Sequence, residues 1–157
     1  MICLQKTKGG DTMTTAICKE VKVKTALGDT LRLQAFLING ALIVNSAPYP
    51  VFFDDGTELP PADETIAELF KVKVKNPIMK KIEGINILHN RVYPIKDIEA
   101  KSILERIPKD IFLFASAITA KAFLTEKILV GKRLADKSSA GRVVYSARDF
   151  FIITGNG

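Results

Sequence analysis

Three stretches of this chain change side-chain character with a period of two. Valines at 21 and 23 alternate with lysines at 22 and 24, and Leu31, Leu33, Ala35 and Leu37 alternate with Arg32 and Gln34. Phe70, Val72 and Val74 likewise alternate with Lys71, Lys73 and Lys75. On a strand this pattern gathers the apolar side chains on one face; on a helix the same residues would be scattered around the axis. The fold must therefore supply a sheet with a covered face. Ala26, Gly28 and Asp29 form a turn between the first two stretches, so residues 19–24 and 31–37 read as a hairpin. The Asn39-Gly40 dipeptide is a second turn, and the continuously apolar residues 41–44 after it read as a strand covered on both faces. Pro48 and Pro50 bracket Tyr49 and remove two amide donors, which leaves residues 51–53 as an edge or short strand.

Residues 54–57 read as a turn, and residues 62–70 as a helix whose inner stripe is Ile66, Leu69 and Phe70. Residues 70–75 read as a strand with one buried face and three lysines on the other. A short strand over 84–89 follows. A helix over 97–107 takes Ile98, Ile103, Leu104 and Ile107 as its apolar side and stops at Pro108. Residues 111–114 form an all-apolar central strand. A small helix over 116–124 turns Ile118, Ala122 and Phe123 inward. Strands over 128–130, 142–146 and 150–154 surround an exposed loop, 132–141. Strands that dominate, with short helices between them, imply an α+β fold on a curved, mostly antiparallel sheet with two or three short helices. The glycines and lysines near the start suggest a disordered leader over residues 1–13, with one globular domain over 14–157. A chain of 157 residues buries roughly 68 to 70% of its unfolded surface, enough for a core without staples.

No apolar run approaches the roughly 18 to 20 residues of a membrane-spanning helix. The polar residues soon after Met1 interrupt any signal-peptide core, so a cytoplasmic protein is expected, with Cys3 and Cys18 as unpaired thiols. The formal charge of +6 favours an anionic partner, phosphates first. The surplus is mostly lysine, whereas base-reading surfaces lean on arginine, so nucleic acid is not the expected partner. With a single histidine, His89, and no CxxC pair, neither a transition metal nor a cofactor is expected. Phosphate-loop, dinucleotide and nucleophile-elbow motifs are missing, and no enzyme activity is expected. The acidic pairs at 54–55 and 63–64 are explained by turn formation and helix N-terminal charge. Lys71, Lys73 and Lys75 read as a solvated strand face. Lys127, Lys132, Arg133, Lys137 and Arg142, together with Ser138, Ser139 and Gly141, form a basic loop of the kind that closes over phosphates.

Several short motifs point to a family. Residues 45–51 read NSAPYPV, followed by Asp55-Gly56 and Pro60-Pro61-Ala62; later come the IFLFASAITAKA segment over 111–122, Arg133 with Asp136, and Gly141-Arg142-Val143-Val144. Over about residues 38 to 144 the chain resembles the Thoeris anti-defence proteins of phages, which sequester immune signals, as a divergent member with Tyr49 in place of a histidine and Ala62 in place of a serine. The resemblance implies a non-catalytic, homo-oligomeric protein of the host cytoplasm. Its ligand would be a small cyclic nucleotide signal, of the cyclic ADP-ribose type or a cyclic oligonucleotide. In that role Arg133 and Arg142 would clamp phosphate, Tyr49 or Tyr145 would stack on a base, and Asn45 or Asp136 would hold ribose hydroxyls. The competing reading is a basic interaction or inhibitor protein, anti-CRISPR-like, that docks an acidic protein or nucleic acid.

Overall fold

The alternating and all-apolar stretches become strands of one large sheet. The computed structural model describes residues 2–5, 14–139 and 141–155, and for 2–5, 14–17, 76–78 and 89–90 the backbone alone. The strands are β1 (Ile2–Gln5), β2 (Thr14–Lys24), β3 (Thr30–Ile38), β4 (Ala41–Asn45), β5 (Val51–Phe53), β6 (Glu58–Leu59), β7 (Val72–Ile82), β8 (Ile85–Pro94), β9 (Ile111–Phe114), β10 (Ile128–Arg133) and β11 (Val144–Phe151); the helices are α1 (Glu64–Leu69), α2 (Asp97–Arg106) and α3 (Ala117–Phe123). Nine strands form a sheet in the order β1-β2-β3-β4-β9-β10-β11-β5-β6, and β7 and β8 form a separate hairpin. The fold is α+β.

The expected hairpin is present as β2 and β3, with Val21 opposite Leu33 and Val23 opposite Leu31. The sheet is mixed, because β9 runs parallel to both β4 and β10, and β5 runs parallel to β11. The all-apolar runs explain the central parallel trio, since parallel strands are normally covered on both faces. Val44, Ile111 and Ile128 belong to a core under the helices, whereas Ile43, Phe114 and Leu129 belong to a second core on the other face. That second core has no helix. It joins Phe36 and Ile38 of β3 to Val51 of β5 and Leu59 of β6, strands that a flat sheet with its usual spacing of about 4.8 Å would hold far apart. The sheet therefore curls, which brings β3, β5 and β6 into one core.

Several expectations require correction. Ile98 is 77% exposed and Ile118 49% exposed. The inward stripes instead begin at Ala100, continuing through Ile103, Leu104 and Ile107, and at Ala120, continuing to Phe123. Each exposed isoleucine precedes its stripe by two residues, about 200° around the helix. Residues 70–75 do not bury one strand face: Val74 is 52% exposed, because β7 belongs to the hairpin rather than to the main sheet. The two strands expected over 142–146 and 150–154 are the single strand β11. Between the pairs Arg133↔Tyr145 and Gly131↔Phe150, β11 holds extra residues in a bulge, where Ser146 Oγ accepts from the amides of Arg148 and Asp149. The polar break in the pattern is thus a bulge, not a strand end. Part of the expected leader, Ile2–Gln5, pairs with β2, while residues 1 and 6–13 lie outside the described residues. Cys18 is disulfide-bonded and 1% exposed, so the reading of two unpaired thiols fails. No helix among the described residues is long and apolar enough to cross a membrane.

Candidate functional site

Strand β4 ends in Asn45 and β9 in Phe114, side by side and parallel. From there the chain leaves in opposite directions. β9 continues into α3 on the helical face, whereas β4 continues into β5, whose Val51 and Phe53 belong to the second core. Such a divergence at the carboxyl ends of parallel strands opens a crevice where ligands are commonly held. Here it is a cavity of about 360 Å³, lined by residues 46–49, the end of α1 with Phe70, Lys71 and Val72, and Ala115, Ser116 and Thr119.

Asn45 shapes one wall. It is 5% exposed, and its Nδ2 donates to the carbonyls of Tyr49 and Pro60, both at 3.0 Å. Its Oδ1 accepts from the Ala47 amide at 2.9 Å. Ser46 ties the strand ends together, donating through its amide at 3.1 Å and its hydroxyl at 2.8 Å to the Phe114 carbonyl. The 46–50 loop is held from both sides, and Tyr49 stands at the cavity mouth, 48% exposed. The opposite wall follows from helix capping: Asp63 accepts from the Ile66 amide at 2.9 Å and starts α1, and Ser116 accepts from the Thr119 amide and starts α3. At the rim Lys71 pairs with Glu68 at 3.6 Å. Both are exposed, so the pair is weak and free to open.

Chemically the cavity offers an aromatic face, apolar walls, hydroxyls and one cation. Burial, and then the neighbouring Tyr145, push the Tyr49 phenol above its ordinary pKa, so near neutral pH it is a hydrogen-bond donor and not a base. Because the folded-state pKa is raised, the stability contribution of this phenol is complete below the unfolded value of 10 and is lost as pH rises through the folded value. Urea midpoints of the wild type are therefore expected to fall more steeply above pH 10 than those of Tyr49→Phe; parallel profiles would refute this.

Tyr145, the neighbour that acts on the Tyr49 phenol, belongs to the β10–β11 pair and does not itself line the cavity. It stands opposite Arg133, on the same face of the sheet as directly paired residues do, and its ring meets that of Phe114 edge-on at 5.5 Å. Gly131 makes room for it: a Cβ there would lie 2.4 Å from Tyr145 Cδ1 and 2.9 Å from Phe114 Cζ. Gly131→Ala is expected to destabilise the fold by about 1 to 3 kcal/mol, the usual cost of overpacking. A thermal melt unchanged from wild type would contradict this packing.

The structure divides the residues singled out from the sequence. Tyr49 lines the cavity; Tyr145, which acts on its phenol, and Arg133, opposite Tyr145 on the neighbouring strand, do not line it. Asn45 has its amide engaged within the chain, so it positions the loop. Arg142 is exposed, with its guanidinium carbon 4.4 Å from the centre of the Phe52 ring. Asp136 lies exposed in a turn away from the cavity. Lys127 leaves the basic cluster altogether: at the opposite end of β10 from Arg133, its Nζ donates to the Pro108 carbonyl at 2.8 Å, and burial lowers its pKa. The expected phosphate-closing loop is braced internally, because Ser138 Oγ donates to the Leu134 carbonyl and accepts from the Val144 amide. Lys137 pairs with Asp54 at 3.8 Å. Phe70, Lys71, Ser116 and Thr119 were not read as site residues, although Ser116 follows an all-apolar central run and precedes a helix, the position where a parallel strand opens onto its crevice.

Among the described residues no group of three or more His, Cys, Asp or Glu side chains is placed to hold a metal ion. No protein-family model matches the chain, and neither a curated protein nor a solved structure matches it.

Proposed function

We propose that the chain binds a small nucleotide-type signal and sequesters it without cleaving it. The observation that carries this reading is the cavity walled by Tyr49, whose phenol has Tyr145 as an electrostatic neighbour, with Arg133 the strand partner of Tyr145. A nucleobase fits an aromatic face with apolar walls, and a ribose fits the hydroxyls of Ser116 and Thr119. A pyrophosphate or phosphodiester then reaches Arg133, whose guanidinium supplies charge-assisted bonds in a fork. Arg142, stacked on Phe52 beyond the same loop, is the second phosphate ligand in this reading. Binding alone needs no nucleophile, and the Tyr49 phenol serves as a donor. The sequence resemblance to signal-sequestering phage proteins points the same way. The reading as an interaction protein is favoured by a different feature, the basic β7–β8 hairpin.

Isothermal titration with cyclic ADP-ribose isomers and cyclic dinucleotides tests the assignment. A charge-assisted hydrogen bond is worth about 1.5 to 3 kcal/mol, so Arg133→Ala or Arg142→Ala is expected to weaken binding roughly tenfold to a hundredfold. Lysine at either position is expected to restore part of the affinity, since it keeps the charge but lacks the fork. Unchanged affinity in both alanine variants would remove the phosphate role.

A further inference from the structure

Among the described residues nothing covers the outer half of the β7–β8 hairpin. Every residue from 79 to 88 is exposed, and both faces carry large apolar side chains. Met79 opposes Leu88 on one face; Ile82 opposes Ile85, and Lys80 opposes Ile87, on the other. Met79 is 61% exposed, Ile85 66% and Leu88 59%. A two-stranded hairpin is marginal by itself, and clustered exposed apolar side chains on a projecting element mark a docking surface. The hairpin is also basic, with Lys73, Lys75, Lys80, Lys81 and Arg91 against the single acid Glu83. Its edges are poorly suited to strand addition, because Pro77 lies on β7 and the register shifts between Lys75 and Ile78. Docking therefore uses the faces.

The same chain has a surface of the opposite kind. A groove of about 400 Å³ lies between the turn after β2, α1 and α2. Its floor is apolar, with Leu31, Leu69 and Ile103, and Leu27 stands beside them 87% exposed. Asp29, Glu64 and Glu99 line its rim with only Lys96 opposing them, and none of these three acids makes an ion pair among the described residues. A hairpin cannot fill its own groove. It leaves the body directly after α1 and returns directly before α2, so the groove lies at its root, while strands of this length carry the tip roughly 35 Å away.

We infer that the tip of the β7–β8 hairpin of one copy docks into the acid-rimmed groove of a second copy. The face of the tip that carries Ile82, Ile85 and Ile87 covers the apolar floor and turns Lys80 toward the carboxylates at the rim, while Lys81, on the opposite face, adds positive charge beside them. Two copies that exchange tips bury both surfaces in each chain, which closes the assembly. The inference stands apart from the nucleotide reading, since none of the residues replaced in its test lines the Tyr49 cavity, although Glu68 borders both the groove and the cavity.

Sedimentation of the full chain tests it, using exposed residues whose replacement spares the core. The wild type is expected to be oligomeric. Lys80→Glu with Lys81→Glu, or Leu27→Lys with Glu99→Lys, is expected to weaken association roughly a hundredfold, because like charges then meet across the interface. Mixing the two variants, or placing all four changes in one chain, restores opposite charges and is expected to restore the oligomer. A monomeric wild type would overturn the inference, as would an oligomer indifferent to both variants. A monomer that binds duplex nucleic acid or anionic vesicles through Lys80 and Lys81 would also overturn it and assign the hairpin to an acidic partner instead.

Discussion

Replacing Asn45 by alanine is expected to cost about 2 to 4 kcal/mol of stability and to abolish the shape of the Tyr49 cavity. The side chain engages three backbone groups at once: the carbonyls of Tyr49 and Pro60 and the amide of Ala47. Leaving a buried polar group unpaired costs about 1 to 3 kcal/mol. The Ala47 amide is fully buried, whereas the two carbonyls are partly so, and water reaching them keeps the total below a simple sum. Asn45→Asp separates the contributions, since it retains the acceptor for Ala47 but directs a carboxylate at two carbonyls. It is expected to be at least as damaging. Urea unfolding at neutral pH measures both variants. A loss under about 0.5 kcal/mol for Asn45→Ala, the size typical of a neutral surface change, would show that the 46–50 loop is held by something else.

Ile111→Ala is expected to be comparably severe, at about 2 to 5 kcal/mol, as for other large-to-small changes in a tight core. Ile111 is 0% exposed, sits opposite Leu42 in the parallel pair of β4 and β9, and belongs to the core beneath the helices. The cavity left behind would be enclosed by the sheet and the helices above it, with little freedom to collapse. Ile98→Ala is the matching control. Because Ile98 is 77% exposed, its loss is expected to change stability by less than about 0.5 kcal/mol. Equal effects at 98 and 111 would invert the inside and outside of the helical layer.

These two isoleucines also show what the sequence could and could not reveal. Ile111 stood within an unbroken apolar run, which is the mark of a strand covered on both faces, and its central position was legible. Ile98 shares the residue type and the helix but lies two positions ahead of the stripe that Ala100 begins, and a small alanine advertises a buried face weakly. The turns at Gly28 and Asn39-Gly40 were readable because their backbone geometry favours those residues: Gly28 has φ of 91°, and Asn39 and Gly40 have φ of 45° and 91°. The hairpin from Val72 to Pro94 kept its alternation but lost its buried face, since periodicity reports which side chains share a face and says nothing of what covers that face. Parallel pairing was hidden for a similar reason, as strand direction is set by connections far apart in the chain.

The candidate site was legible in part. Tyr49 stood out between two prolines, Arg133 came from the closing motifs, and Tyr145 was singled out as an aromatic that could stack on a base. The cavity wall of Phe70, Lys71, Ser116 and Thr119 could not be assembled from spacing, because it joins the end of one helix to the start of another across the sheet. Asn45 was read as a ligand-holding residue, yet an asparagine at the end of a central strand next to a proline-rich loop has its own backbone to satisfy. The stacking of Arg142 on Phe52 was not legible, because the two residues come from distant parts of the chain that strand pairing brings together.

The most direct test of sequestration is recovery of the ligand. Wild-type protein is loaded with cyclic ADP-ribose isomers and cyclic dinucleotides, freed of unbound nucleotide and heat-denatured, and the released small molecule is identified by mass spectrometry. Retention and release of an intact cyclic nucleotide, with retention lost in Tyr49→Ala that circular dichroism shows to be folded, is the predicted result. Retention of none of these nucleotides, or release of a cleaved product, would contradict it.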